Sequence, residues 1–320
     1  MPRPRPSCAL AFLLAAILLA NRAEAKPDTI SRVKAAGIVH CGSAIRPGLA
    51  FPGEDHAPYG LNVEFCRAVA AAVLGDPGKI SFATYALRPD FERIHTGADD
   101  VAFLTATEMF ANGLLGGVLP GPAVFQQTVH IMVWDASPVR HLSDLGQTAV
   151  CGEPGTPSDN ALHAYAAAQG WRANISAWME LEEMMDAFDV GRCPAIVGEA
   201  TALAALGIGS AQLGHAARQL PEPLATYPVM AATPGDDPRW AMLVSWTVQT
   251  VLARGTGGEH LAIPGALLGL DKDWQSRVLA LGDYAAIYRR TLGAGSALDL
   301  PPGPNANWRE GGLFAPPSVD

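Results

Sequence analysis

Two short stretches in the second half of the chain could bind the charged groups of a small solute. Glu199 ends the apolar segment PAIVG, and its carboxylate could pair with a ligand ammonium group. The segment from Gly155 to Asp159 has the residues of a helix start, with Thr156 as N-cap, Pro157 in the first turn and Asp159 completing a capping-box pattern. Free amide groups at a helix start attract a carboxylate. A solvated glutamate and an ordinary capped helix are the structural alternatives, and the sequence leaves them open.

Aromatic side chains in the first half add a possible stacking surface for a ligand. Phe51 and Tyr59 lie in and after a Pro- and Gly-rich loop, and packing within the first half is the alternative interpretation. The chain contains no G-x-S-x-G, no H-E-x-x-H and no glycine-rich phosphate loop. Its eight histidines show no metal-ligand spacing. The sequence therefore predicts no metal site and no cofactor, and it favours a binding protein over an enzyme.

The N-terminus predicts export. Arg3 and Arg5 precede an apolar run of about a dozen residues, too short for a comfortable membrane span, and Ala23-Glu24-Ala25 fits a cleavage site. Residues 1–25 are therefore interpreted as a signal peptide, with a membrane anchor as the alternative. They carry three arginines and one glutamate, so their removal changes the formal charge from −9 to −11. An acidic surface without basic runs argues against nucleic acid as a partner.

Four cysteines remain after the predicted cleavage. An even number in an exported protein indicates two disulfides, with three possible connectivities, and four buried thiols are the alternative. Bridges within each half of the chain are the simplest assignment, and the four positions are Cys41, Cys66, Cys151 and Cys193.

The hydrophobic pattern predicts strands alternating with helices in two blocks, which is typical of a largely parallel α/β sheet. The first block includes an amphipathic helix in the segment GLNVEFCRAVAAAVLGD, with Asn62 as a candidate cap and Gly75 as a stop. The second block includes strands at 148–152, 175–178 and 194–199, with helices at 157–169 and 181–190. A proline-rich segment at 220–237 is predicted to cross between the blocks.

The sequence of the amphipathic helix resembles the G-x-D-V-D-F-C-R-A-V-A-A-A segment of bacterial periplasmic proteins that bind amino acids for ABC transporters. The C-terminal region is also similar to theirs, from Asp273-Trp274 through Gly282 to Arg289 and Gly293 to Leu298, and then from Trp308 to Pro317. The resemblance implies a two-lobe, type II periplasmic binding protein fold with two hinge strands, near 129–134 and 227–232. Lobe one would comprise residues 26–134 and 229–320, and lobe two residues 135–228.

The resemblance also implies roles for individual residues. The family's G-T motif, here Gly155-Thr156, holds the ligand carboxylate, and the position of Glu199 usually carries an aspartate that binds the α-amino group. Phe51 is the better placed of the two aromatic candidates. Thr105 and Thr107 retain hydrogen-bonding capacity on the strand from lobe one.

That same strand departs from the family pattern at two positions. Leu104 and Asn112 stand where the family carries arginines, of which the second grips the α-carboxylate of the ligand. Asparagine can offer neutral hydrogen bonds but lacks the charge and the bidentate geometry of a guanidinium. We therefore expect weakened affinity for ordinary α-amino acids, or a different ligand.

The leading hypothesis is a monomeric periplasmic binding component of an amino-acid-type ABC uptake system, which captures a small polar solute and delivers it to an inner-membrane permease. One alternative is a cyclohexadienyl-dehydratase-like enzyme of the same fold, with Glu199 and Glu108 as an acid/base pair. Another is an accessory or sensor relative that binds little ligand, suggested by the loss of both arginines.

Overall fold

The structure is a computed structural model that describes residues 28–53, 57–85, 91–110, 117–172, 174–255 and 264–315. The predicted signal peptide lies outside the described residues, as do Asn112 and Pro317. None of the helices in the described ranges is both long and apolar enough to cross a membrane.

The strands fall into two parallel groups joined by antiparallel partners. Their bounds are β1 Val39–Ala44, β2 Phe51–Pro52, β3 Pro58–Tyr59, β4 Ile80–Tyr85, β5 Val101–Thr105, β6 Val118–Trp134, β7 Ala149–Gly152, β8 Asn174–Ala177, β9 Ala195–Glu199, β10 Ala217–Gln219 and β11 Ala225–Pro234. The helices are α1 Thr29–Ala36, α2 Leu61–Leu74, α3 Phe91–Thr96, α4 Ala106–Glu108, α5 Pro157–Gln169, α6 Leu181–Asp189, α7 Ala200–Gln212, α8 Pro238–Ala253, α9 Gly265–Leu268, α10 Trp274–Leu279 and α11 Tyr284–Thr291.

Within the described residues, nine strands form one mixed sheet in the order β4-β1-β5-β11-β6-β9-β7-β8, with β10 paired to β6. Strands β4, β1 and β5 are parallel to one another, and so are β9, β7 and β8. Between the two groups, β11 and β6 pair antiparallel to each other and to their outer neighbours. The predicted α/β fold is confirmed, and the two central strands form the connection between its halves.

Each half of the sheet has its own hydrophobic core and its own disulfide. The first half buries a large cluster around α2 and α8 that includes Trp240, Trp274 and Phe65. The second half has two smaller clusters, which lie around Leu162 and Phe188. Cys41 bonds Cys66, and Cys151 bonds Cys193. The predicted assignment of one bridge to each half is confirmed.

The amphipathic helix forms as predicted, but its start differs. Gly75 ends α2 in the left-handed conformation at φ 76°, as expected for a glycine after the last turn. The N-cap is Gly60 and not Asn62, because Asn62 is fully buried inside the helix and donates from Nδ2 to Ser43 Oγ at 3.1 Å. Asn62 therefore anchors α2 to β1, a role that helix-start statistics could not reveal.

Two strands of the sheet are longer or better formed than the sequence suggests. β6 begins at Val118, well before the predicted strand at 129–133, and the proline-rich crossing segment contains the ten-residue strand β11. Prolines interrupt the apolar pattern in both, and Pro120 and Pro228 are tolerated in these paired segments. The elements predicted at 157–169, 181–190 and 194–199 match α5, α6 and β9 to within a residue.

Candidate functional site

The pairing register brings polar residues from both halves of the sheet to one face of its centre. Glu199 at the end of β9 is opposite Val129 on β6, and Tyr227 of β11 is opposite Gln127 on the same strand. Residues two apart on a strand share a face, so the Glu199 and Tyr227 side chains lie on the same face of β9 and β11, the two strands that flank β6. The Tyr227 hydroxyl donates to Glu199 Oε1 at 2.6 Å.

The first half contributes Glu108 through a short turn at the end of β5. Thr105 Oγ1 accepts a hydrogen bond from the Glu108 amide at 3.2 Å, and Glu108 Oε2 accepts one from the Thr105 amide at 2.7 Å. This reciprocal capping box fixes the Glu108 carboxylate at the carboxyl end of the strand. Thr105 thus positions an acidic group, and its own hydroxyl is occupied by that turn.

Arg46 joins the two carboxylates and was missed by the sequence analysis. Its Nε donates to Glu199 Oε2 at 3.2 Å, and its Nη2 donates to Glu108 Oε1 at 3.0 Å. One guanidinium therefore connects a side chain of the first half to one of the second. We call Arg46, Glu108, Glu199 and Tyr227 the central network.

The loop that carries Arg46 is held firmly between β1 and α2. The Arg46 and Ala50 backbones exchange two hydrogen bonds of 2.9 Å, and the amides of Leu61 and Asn62 donate to the carbonyls of Gly48 and Leu49. The start of α2, which carries the family resemblance, therefore also fixes the loop from which the guanidinium extends.

The central network is mostly shielded from solvent, and this governs its ionisation. The side chain of Arg46 is 12% exposed and those of Glu108 and Glu199 are each 17% exposed. Burial alone would lower the pKa of Arg46, but the carboxylates of Glu199 and Glu108 outweigh it and raise that pKa. Burial, followed by the charge of Glu199, raises the pKa of Tyr227 far above its ordinary value. Arg46 is therefore charged and Tyr227 is a neutral donor at neutral pH.

One donor of the network lacks a partner within the described ranges. Arg46 Nη1 is buried and has no hydrogen-bond acceptor among the described residues. A buried unpaired donor is costly, and a charged one more so. The network therefore offers an acceptor-binding position next to two carboxylates, which retain lone pairs for further donors.

Polar groups at the start of α5 form hydrogen bonds with other residues of the same short segment. Thr156 is the N-cap and accepts from the Asp159 amide at 3.2 Å, as predicted, while its hydroxyl donates to the Glu153 carbonyl at 2.8 Å. Asp159 does not complete the predicted capping box, because its carboxylate accepts from the Gly155 amide at 3.2 Å instead of from the amide of the N-cap. The Asp159 side chain thus occupies the place where the family's G-T motif would receive a carboxylate.

The other candidate residues have different environments. Phe51 packs edge-on against Tyr59, with ring centroids 6.1 Å apart, in the β2–β3 hairpin that follows the Arg46 loop. Thr107 is exposed in the turn next to Glu108. Leu104 is fully buried in an apolar cluster with Met109 and Met230, where a guanidinium would be desolvated without a partner. Asn112 lies outside the described residues.

No group of three or more His, Cys, Asp or Glu side chains in the described ranges is arranged to hold a metal ion. The opposite face of the central strands has a cavity of about 710 Å³, lined in part by Thr128, His130, Met132 and Thr226. None of the predicted site residues lines that cavity.

Arg46 and Tyr227 could have been found with a topological argument. Ligands of open α/β sheets bind beyond the carboxyl ends of the strands, and Arg46 is two residues beyond β1. It is also a charged residue in a loop that is otherwise rich in apolar residues, proline and glycine. Tyr227 lies at the start of the predicted second hinge strand, but its pairing with Glu199 depends on register.

Comparison with known proteins places this architecture among periplasmic binding proteins. The chain is 29% identical over 329 residues to a general L-amino acid-binding periplasmic protein of Rhizobium johnstonii, AapJ, covering 95% of this chain and 96% of the relative. It is 29% identical over 336 residues to the glutamate/glutamine/aspartate/asparagine-binding protein BztA of Rhodobacter capsulatus, covering 94% and 96% of the two chains.

The solved structures agree. A periplasmic binding protein of an ABC transporter from Brucella ovis with glutathione bound superimposes with a TM-score of 0.73 and 26% identity, covering 91% of this chain and 98% of that one. No family model matches the chain. The near full-length similarity in sequence and structure confirms the relationship suggested by α2 and the C-terminal motifs. Over nearly its whole length, the chain is thus similar to the amino-acid-binding periplasmic proteins of ABC transporters.

Proposed function

We propose that this protein is the substrate-binding component of an amino-acid-type ABC uptake system and captures a small polar solute between two lobes. The observation that carries the proposal is the ion pair between Arg46 and Glu199, which connects the two halves of the sheet. Polar groups from both halves therefore meet at one place, as a solute held between two lobes requires.

The proposed lobes are those expected from the sequence, residues 26–134 with 229–320 and residues 135–228. Strands β6 and β11 pair along most of the length of β11 and separate the two parallel groups, so they are the natural hinge. Bending there would change the distance between Glu108 and Glu199 and thereby open or close the site.

The residues of the central network take the main roles in this proposal. Glu199 binds a cationic group of the solute. On the lobe-one side, Thr105 fixes the position of the Glu108 carboxylate. Phe51, Thr107 and Asn112 remain proposed contacts from lobe one, and Gly155 and Thr156 remain proposed contacts from lobe two. Of these two sets, the lobe-two turn is supported less, because Asp159 already binds the Gly155 amide.

Export, assembly and partners follow from the same proposal. A signal peptide of residues 1–25 would direct a monomer to the periplasm, where it would deliver its solute to an inner-membrane permease. AapJ and BztA are named as binding proteins, and AapJ and the Brucella ovis protein are named as periplasmic, which supports a transport role over the dehydratase-like alternative.

A thermal-shift screen of the exported, oxidised protein tests the proposal. The panel contains the common L-amino acids, their amides, polyamines and glutathione, the last because the Brucella ovis structure holds it. A solute at a hundred times its Kd should stabilise the protein by about 2.7 kcal/mol, which raises Tm by several degrees. No stabilisation by any member would contradict solute capture and favour the accessory interpretation.

A further inference from the structure

The charge of the central network points to the class of solute. It contains one guanidinium and two carboxylates, and Tyr227 is neutral, so its formal charge is −1. The three charged side chains are less than a fifth exposed, so solvent screens this excess only weakly. A solute with one more positive than negative charge would neutralise it.

The hydrogen-bonding pattern adds a second requirement. Arg46 Nη1 is a buried donor without an acceptor among the described residues, and it lies on the same guanidinium that contacts both carboxylates. A solute that brings only cationic groups would leave this donor unpaired. A carboxylate or carbonyl oxygen on the solute would satisfy it.

We propose that Arg46 binds an acceptor oxygen of the solute and that the site selects solutes of net charge +1, such as basic amino acids. The resemblance implies that an arginine at the position of Asn112 would grip the ligand carboxylate, but asparagine is uncharged. Arg46, in the loop between β1 and α2, takes that role in this proposal. Glu108 and Glu199 bind the cationic groups of the solute with their remaining lone pairs. This inference rests on the proposed function, because it concerns the same site.

The strongest support from the rest of the molecule is its overall charge. Residues 26–320 carry a formal charge of −11, so the surface attracts cations from solution. The described residues of the central network and the whole mature chain therefore favour the same sign of solute.

Isothermal titration with four matched probes tests the inference. L-Arginine has charge +1, L-citrulline is its neutral isostere, agmatine is arginine without the carboxylate and has charge +2, and L-glutamate has charge −1. We expect L-arginine to bind at least ten times more tightly than L-citrulline, because an ion pair in a shielded site is lost. Agmatine should also bind at least ten times more weakly than L-arginine, because Arg46 Nη1 keeps no partner.

Variants assign the selectivity to the network. In Glu108→Gln the hydrogen bonds of the turn can persist while the formal charge becomes zero, so the ratio of L-arginine to L-citrulline affinity should fall at least fivefold. Arg46→Gln should bring the affinities of L-arginine and agmatine within threefold of each other. Glu222→Gln, at an exposed glutamate paired with His141, should leave both ratios unchanged.

The outcomes separate this inference from the function on which it rests. Equal or tighter binding of L-citrulline or L-glutamate would overturn the charge selection while leaving solute capture intact. Agmatine binding as tightly as L-arginine would overturn the role of Arg46. If none of the four probes binds but another solute of the screen does, the inference fails alone. If no solute binds at all, the proposed function fails with it.

Discussion

The central network and the start of α5 each contain residues that the sequence predicts to bind a solute, Glu199 in the first and Gly155 and Thr156 in the second. The two regions differ in how their polar groups are satisfied. Around Arg46, one positive side chain only partly neutralises the two carboxylates of Glu108 and Glu199. Arg46 Nη1 is buried and has no acceptor among the described residues. At the start of α5, Asp159 and Thr156 satisfy the amides of the same short segment.

The difference shows that residue type alone does not mark a binding site. Both regions contain acidic side chains next to a threonine hydroxyl, that of Thr105 beside Glu108 and that of Thr156 beside Asp159. The α5 start forms its hydrogen bonds within the seven residues from Glu153 to Asp159, whereas the network requires partners 62 and 153 residues apart along the chain. Incomplete satisfaction across distant elements is the feature that favours the central network as the proposed site.

Removal of the shared guanidinium should have the largest effect. Arg46→Met leaves Glu108 and Glu199 close together without a cation, and breaking a buried ion pair from one side is strongly destabilising. We expect the free energy of unfolding in urea to fall by about 3 kcal/mol. Arg290→Met is the control, because the Arg290 side chain is 40% exposed where it pairs with Glu64, and solvent-screened pairs contribute at most about 1 kcal/mol. Equal losses in the two variants would show that the network is no more than a surface ion pair.

Loss of the tyrosine hydroxyl should have the next largest effect. Tyr227→Phe removes the donor to Glu199 while keeping the ring, and a hydrogen bond to a charged group contributes about 1.5 kcal/mol or somewhat more. The unfolding midpoint in urea measures the loss. Tyr59→Phe, at a half-exposed ring in the β2–β3 hairpin, should change it by less than about 0.5 kcal/mol. If both variants unfold alike, the Tyr227 hydroxyl has no special role in the network.

Most of the fold follows from local patterns in the sequence. The alternation of strands and helices predicts α5, α6 and β9 because each has a hydrophobic period and clear end signals, such as Thr156 and Pro157. The extent of β6 could not be predicted, because its first half contains two prolines and pairs with β11 from a distant part of the chain. Long-range pairing overrides local preference in such segments.

The site was only half predictable, for the same reason. Glu199 and Thr105 are at the carboxyl ends of strands, where the functional groups of α/β sheets are expected. Arg46 gives no local signal of its role, because its partners are distributed over both halves of the sheet. The sequence shows that Leu104 and Asn112 stand at the two positions where the family carries arginine. It does not show that Arg46, from a different loop, lies beside Glu108 and Glu199, because that depends on the register of the sheet.

A smaller effect is expected at the cap of α5. Thr156→Ala removes the acceptor for the Asp159 amide, which should lower the free energy of unfolding by about 1 kcal/mol. Thr156→Ser keeps the hydroxyl and should recover most of that loss. The affinity for the best solute of the thermal-shift screen, measured by titration, should change less than twofold in both variants. A tenfold loss of affinity in Thr156→Ala that serine restores would place the solute at this turn after all.

The smallest effect on stability should be that of Asp159→Asn. Asparagine retains an acceptor for the Gly155 amide but removes the negative charge at the helix start, a loss of about 0.5 kcal/mol. Asp283→Asn removes the same kind of charge from the start of α11, where Asp283 is the N-cap, and provides the control for that loss. The variant also separates the two regions functionally, because a start of α5 that receives a solute carboxylate should bind L-glutamate more tightly once the competing charge of Asp159 is gone. We expect no such gain in titration, since the central network lies on other elements and its charges are unchanged. A gain of fivefold or more would show that Asp159 had been suppressing a carboxylate site, and the two regions would then have to be treated as parts of one pocket.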